Sequence, residues 1–321
     1  MKLGVLTVLL GQKSLKESLQ FLASLGVQAV ELGAGGYPGK AHVNPAELLQ
    51  DKARLTEFRQ TIADSGLIIR ALSCHGNPVH PQQAIAASYH QDFVDTVHLA
   101  EELGINRVVT FSGCPGDCPT SMWPNWVVCP WPEDYLKVLE YQWNDVLIPY
   151  WGKTVDFARS HGVTKIALEM HPGFCVYNPE SLLKLRAAVG DVIGANFDPS
   201  HLFWQGMDPV AAIKKLGPAI YHFHAKDCRI DQPNTDVNGV LDVKHYGDEL
   251  NRSWIFRTVG YGHGYQTWKD IFSTLRLVGY DDVISIEHED SLMSVNEGLT
   301  KAIAFLKEVL LLEDKGGMWW A

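Results

Sequence analysis

Glu169 and His171 stand two residues apart at the end of the stretch Ile166-Ala-Leu-Glu-Met-His-Pro-Gly173. In a strand, a period of two puts both side chains on one face. A carboxylate at the end of an apolar strand is costly to bury unless it is paired or holds a cation. Three later stretches end in the same way. Asp198 and His201 close Asn-Phe-Asp-Pro-Ser-His, His222 and His224 lie in Tyr-His-Phe-His-Ala-Lys-Asp, and Glu287 and Glu289 lie in Ile-Ser-Ile-Glu-His-Glu-Asp. His75 follows an earlier apolar run. Each has a plain structural explanation alone, as a satisfied buried histidine or a glutamate paired with Lys165 or Lys226. Brought together, three carboxylates and an imidazole repel one another unless a divalent cation sits among them. The set Glu169, Asp198, His224 and Glu287 is oxygen-rich with one nitrogen. That chemistry suits Mn²⁺, with Mg²⁺, Co²⁺ or Zn²⁺ as alternatives, better than a thiolate zinc site.

Bringing these residues together requires a fold that gathers strand ends. Gly26, Gly66, Gly104, Gly162, Gly190, Gly217 and Gly279 each close a helical pattern, and a β-rich apolar run follows each. Glycine just past a helix marks the left-handed cap. The predicted strands are residues 2–9, 27–32, 67–72, 105–111, 163–168, 192–197, 219–223 and 282–286. The predicted helices are 15–25, 45–65, 82–103, 135–161, 179–189, 209–216, 265–278 and 292–312. This alternation predicts an α/β fold, one parallel (β/α)8 TIM barrel over 1–321 with a tail at 313–321. No phosphate-cradling GxGxxG follows the first strand, which argues against an open doubly wound sheet. Two long connections, 112–134 after strand four and 226–264 after strand seven, lie on the carboxyl face where barrels bind ligands. Trp123, Trp126 and Trp131 in the first could stack on sugar, wall a pocket, cover a neighbouring subunit or pack on themselves. Pro149 is expected to kink the fourth helix, and the two tail tryptophans to dock on the barrel or a partner chain.

Composition narrows the function classes. With 321 residues, 46% hydrophobic, the chain can bury a large core as one domain. A net charge of −10 without a basic block argues against a nucleic-acid partner. The opening apolar run is too short for a membrane span and lacks a cleavage site, so a cytoplasmic protein is expected. The six cysteines have no framework spacing, which fits a reducing compartment. Cys114, Cys118 and Cys129 lack a nearby fourth ligand for structural zinc.

The runs LEMHPG, NFDPSH, HFHAKD, GYGHGYQTW and ISIEHED, with Val30-Glu31-Leu32 upstream, resemble the xylose isomerase-like barrel superfamily. That group includes D-tagatose 3-epimerase, inosose isomerase, 3-keto-sugar epimerases and apurinic endonucleases. The resemblance spans nearly the whole barrel. It implies a metal-dependent sugar isomerase or epimerase with ligands at Glu169, Asp198, His224 and Glu287. The metal would act as a Lewis acid at a ketose carbonyl, and Glu169 and Glu287 would remove and return a proton. Substrate contacts are implied for His201 and for a basic residue after the strand-seven histidine, either Lys226 or Arg229. His75, His171, Glu289 and Trp123 complete the expected substrate set. Expulsion of a leaving group at the β carbon would instead make a lyase, dehydratase or deglycosidase acting on 3-keto-glycosides. The endonuclease branch is disfavoured, because strand four ends Val-Val-Thr-Phe-Ser-Gly without its histidine. The connection 226–264 is longer than in the smaller epimerases and predicts a substrate larger than a bare ketohexose. His245, Arg252, Trp254 and Arg257 within it are candidates for substrate contacts or a lid. A small-molecule sugar partner and a homo-oligomer are expected.

Overall fold

The computed structural model describes every residue except Trp319 and Ala321. The strands are β1 (Lys2–Leu6), β2 (Ala29–Gly33), β3 (Ile68–Ser73), β4 (Arg107–Thr110), β5 (Lys165–Glu169), β6 (Ile193–Phe197), β7 (Ile220–Ala225), β8 (Asp227–Ile230), β9 (Trp254–Arg257) and β10 (Val283–Ile286). Eight of them close a barrel in the order β1-β10-β7-β6-β5-β4-β3-β2, and every pairing within it is parallel. The strands are buried almost throughout, as expected when helices cover the outer face and side chains fill the inside.

The helices are α1 (Leu15–Ser24), α2 (Pro45–Gln50), α3 (Lys52–Ser65), α4 (Gln83–Leu103), α5 (Asp134–Glu140), α6 (Ile148–Ser160), α7 (Pro179–Val189), α8 (Pro199–Phe203), α9 (Pro209–Leu216), α10 (Gln232–Asn238), α11 (Tyr265–Leu277) and α12 (Val295–Val309). Their starts are written in the sequence. Ser14 and Glu17 form a capping box on α1, and Asn178 with Ser181 forms another on α7. Each such cap is worth about 1 kcal/mol. All seven predicted cap glycines have positive φ. Gly66 and Gly104 are true left-handed caps, whereas Gly190 and Gly217 have ψ of 176° and −125° and leave that region. The buried faces of the helices pack around Trp151 and Trp268, among the largest fully buried side chains. The Trp151 indole donates to the Ser112 carbonyl at 2.9 Å, which ties α6 to the start of the first long connection.

Several boundaries differ from expectation for identifiable reasons. The first strand stops at Leu6, and Thr7–Leu10 turns as a 3₁₀ segment. The second helix is two, because Asp51 breaks out in extended conformation and caps α3 by accepting from Ala53 and Arg54 amides. A π-helical stretch, Tyr141–Leu147, runs into α6 just before Pro149, which lacks the N–H that regular helix would use. The last helix starts at Val295 after the Ser294 cap and ends at Val309, inside the predicted 292–312.

The long connection after β7 is not a loop throughout. Strands β8 and β9 pair antiparallel, with Cys228 opposite Phe256, and α10 lies between them. Asp227 closes this excursion: one carboxylate oxygen accepts from the amides of Gly260, Gly262 and His263, and the other pairs with the His263 ring at 2.7 Å. Glycine is required at 262, where a Cβ would lie 2.1 Å from the Cys228 carbonyl oxygen. Of the expected tail contacts, Trp319 lies outside the described residues and Trp320 is largely exposed. No helix among the described residues is long and apolar enough to cross a membrane.

Candidate functional site

Closure of the barrel brings the strand ends together. Glu169 ends β5, Asp198 follows β6, His224 lies near the end of β7, and Glu287 follows β10. One potential ligand atom from each lies within 4.8 Å of all the others. Asp198 also caps α8 by accepting the Ser200 amide at 2.8 Å, which fixes its side chain at the strand-to-helix turn. The sequence Asp-Pro-Ser-His therefore does two things. It starts a helix, with Pro199 at the first position, and it sends His201 back toward the mouth.

Glu169 is the most heavily bonded of the four. It pairs with His75 at 3.0 Å, with His201 at 3.1 Å and with Asn196 at 3.0 Å. His224 spans two layers. Its Nδ1 faces Glu287 at 3.1 Å and Glu169 at 3.3 Å, while its Nε2 lies 2.9 Å from Glu31. Lys226 is buried and pairs with Glu287 and Glu289 at 3.0 Å each and with Asp198 at 3.3 Å.

The charges follow from these contacts. Burial by itself raises the Glu169 carboxyl, but hydrogen bonds from His201, His224 and His75 outweigh it and hold the group well below the usual carboxylate range. Glu287 is likewise raised by burial and lowered by Lys226 and His224, ending at about 2. Asp198 goes the other way. Burial raises it, and the charges of Glu169 and Glu287 add to that rise against the pull of Lys226 and His201. Burial lowers the His224 imidazole, but Glu31 and Glu287 dominate and hold it well above its ordinary value. His171 is lowered by burial and by His201 to about 3, so it is neutral near pH 7.

The donor set fits a divalent cation. One oxygen of Asp198, Oδ2, is fully buried and accepts no hydrogen bond, its only neighbours of opposite charge being Lys226 and His201 in longer contacts of 3.3 Å among the described residues. Such an atom is costly to bury unless something else satisfies it. Three carboxylates with one neutral imidazole nitrogen is a hard-cation set. A cation there would compete with the proton on His224, since both answer to the same carboxylates.

Beneath this cluster lies a residue that the sequence alone did not single out. Glu31, buried on β2, bonds His222 at 2.8 Å, His224 at 2.9 Å, Ser285 at 2.7 Å and Ser73. His222 in turn meets Arg107 at 3.3 Å, and Arg107 pairs with Asp282 at 2.7 Å. Polar contacts thus run along the barrel from its amino-terminal floor to the mouth. Glu31 sits mid-strand in Ala-Val-Glu-Leu-Gly, and the signal that could have marked it is a lone charge inside an otherwise apolar buried strand.

A cavity of about 230 Å³ opens above the cluster and is lined by His75, Glu169, His171, Lys226, Glu287 and Glu289, with Tyr37 and Phe111. Of the two basic candidates after His224, Lys226 lies in the site and Arg229 is exposed on the hairpin. Trp123 is 70% exposed and does not line this cavity. Arg229 is exposed on β8 and does not line this cavity. His201 is buried behind Glu169 and packs against His171, the two rings tilted by 56° with centroids 4.1 Å apart. Within the insert, Arg252 and Trp254 are buried in its own packing, and Arg257 pairs with Asp290 at 3.1 Å.

The family model for the xylose isomerase-like TIM barrel matches residues 19–309. A relative in Bacillus subtilis (strain 168), the uncharacterized protein YfiH, is 41% identical over 313 residues, covering 97% of this chain and 99% of its own. Among solved structures, the probable 3-DHS dehydratase AsbF from Bacillus anthracis superposes with a TM-score of 0.65 at 19% identity, covering 96% of this chain and 99% of that one. The IolI protein with a bound zinc atom gives 0.64 at 21% identity, with 96% of each chain covered. D-psicose 3-epimerase in the presence of D-fructose gives 0.60 at 14% identity, with 97% and 99% covered. At these identities the structures share the fold. With the family model matched over most of its length, the chain belongs to the xylose isomerase-like TIM barrel family.

Proposed function

We propose that the protein is a divalent-metal-dependent enzyme that isomerises or epimerises a keto-sugar by moving a proton next to the carbonyl. The observation that carries this reading is the convergence of Glu169, Asp198, His224 and Glu287, with a buried Asp198 oxygen that accepts no hydrogen bond. The family and its sugar-epimerase structural neighbours agree with it. These four side chains would hold the ion, Mn²⁺ by preference, which as a Lewis acid makes the neighbouring C–H more acidic.

The chain's own groups do the rest. Glu287 and Glu169 are both ionised near pH 7, so either can accept a proton from carbon. Placed on two sides of a bound sugar, one carboxylate removes the proton and the other returns one to the opposite face, which inverts the carbon. Return to the adjacent carbon instead exchanges aldose and ketose. Lys226 screens Glu287 and Glu289 and offers donors to the sugar hydroxyls. His171, neutral near pH 7, and His75 line the cavity and orient the substrate.

The test is incubation of ketoses and 3-keto-sugars with the Mn²⁺-loaded protein in deuterated water. Deuterium fixed on carbon in the recovered sugar is the expected result, and its position identifies the carbon attacked. A panel that returns every sugar unlabelled would contradict the proposal.

A further inference from the structure

We infer that the mouth contains a second subsite built for an aromatic ring, and that the substrate is a keto-sugar carrying an aryl group rather than a free monosaccharide. This rests on the enolisation reading of the inner site and extends it to the substrate class. The inner cavity, about 230 Å³, is floored by Glu169, Lys226 and Glu287 and suits a hydroxylated ring. It is smaller than the ~300–1,000 Å³ usual for a drug-sized ligand. A second cavity of about 520 Å³ opens directly from it, and Tyr37, Phe111, His171 and Glu289 line both.

The walls of the outer cavity differ in kind. What it adds is Phe174, Tyr246, Ile255, Phe256 and Ser291, with one hydroxyl of serine and one of tyrosine among them. A free sugar buried there would leave most of its hydroxyls without partners, each at a cost. An aryl ring has no such need and gains from edge and face contacts with aromatic side chains. The rings are arranged in ordered pairs. Phe111, just after β4, and Phe174, in the loop after β5, stack with centroids 4.2 Å apart. Tyr246 and Phe256, from the excursion after β7, lie nearly parallel at 5.8 Å.

The excursion's wall is built rather than loose. The buried Arg252 guanidinium sits 4.4 Å from the Tyr246 ring centre and donates to the Trp254 carbonyl at 3.1 Å. Lys226, the ammonium that pairs with Glu287, lies 4.6 Å from the Phe256 ring centre. The same cation therefore joins the outer wall to the acid cluster. Exposed aromatic surface held in place next to a polar site marks a binding surface.

Calorimetric titration of the Mn²⁺-supplemented protein with phenyl and methyl β-D-glucopyranosides tests the subsite without requiring turnover. The phenyl compound is expected to bind about tenfold tighter. In Phe174→Leu and in Tyr246→Ala that preference should shrink to about twofold while methyl glucoside binding holds. Equal affinities, no binding of either, or a preference that survives both substitutions would overturn the subsite. The matching phenyl and methyl 3-keto-glucosides in deuterated water separate the two proposals. A phenyl preference without label in either sugar refutes enolisation and leaves the subsite standing. Label in both with equal affinities refutes the subsite alone.

Discussion

Two clusters in this molecule use the same side-chain chemistry to different effect. At the mouth, Glu169, Asp198, His224 and Glu287 converge. On the helix layer, His98 and Glu101 of α4 meet His161 at the end of α6, also with ligand atoms within 4.8 Å. The helix-layer side chains are 28–50% exposed, while Glu169, Asp198 and His224 are at most 3% exposed. The exposed triad is held by a histidine–carboxylate contact at 2.8 Å, a longer one at 4.0 Å and ring packing on Phe157. The mouth cluster is held by a further layer of Glu31, Asn196, His75, His201 and Lys226. Donor atoms near one another are therefore not enough. Burial makes each unpaired charge costly, and the outer layer fixes where each lone pair points.

The largest effect is expected for Glu169→Gln, which should cut deuterium incorporation by roughly 10²–10⁴-fold. His161→Ala should leave that rate unchanged, and an equal loss in both variants would erase the distinction between the clusters. Glu31→Gln should weaken divalent-ion affinity by roughly 10–100-fold, because it supports His224 from behind. Isothermal titration with Mn²⁺ reads this directly, without any substrate.

Stability sharpens the same contrast. Arg107 is buried and pairs with Asp282, which Arg70 also grips at 2.8 Å. Asp282→Asn should cost about 3 kcal/mol, measured by urea unfolding, since it leaves a buried guanidinium short of its partner. Burial raises the Asp282 carboxyl, but the two arginines outweigh it, so its folded pKa lies below the ordinary value. Its contribution is therefore fully present above the unfolded value, near 3.9, and is lost as pH falls below that toward the folded one. Wild-type melting temperature should drop more steeply than that of the variant over that acid range. The smallest effect is expected for Glu101→Gln, at most about 0.5 kcal/mol by the same unfolding assay, because its partners stay in water.

What could be read from the sequence follows the same line. The barrel was legible because glycine caps and apolar runs repeat locally, as at Gly66 and Gly104. The four cluster residues were legible because each stands at or near the end of an apolar run, and a turn signal follows two of them, Pro172-Gly173 after Glu169 and Pro199 after Asp198. Glu31 was not singled out, since its partners Ser73, His222 and Ser285 lie 42, 191 and 254 residues away and only the closed sheet reveals them. The hairpin of β8 and β9 was hidden for a similar reason. Each strand is four residues long, and they pair across more than twenty intervening residues. The exposure of Trp123 and Arg229 was not legible, because residue type does not say which way a loop or an edge strand faces.

We propose that one divalent cation is held by the buried cluster rather than by the exposed group of His98, Glu101 and His161. Equilibrium dialysis of the protein against Mn²⁺, with Asp198→Asn and His161→Ala alongside, tests it most directly. One tightly bound ion per chain, retained in His161→Ala and lost in Asp198→Asn, is the predicted result. An ion that persists in Asp198→Asn, or a wild-type protein that binds none, would contradict it.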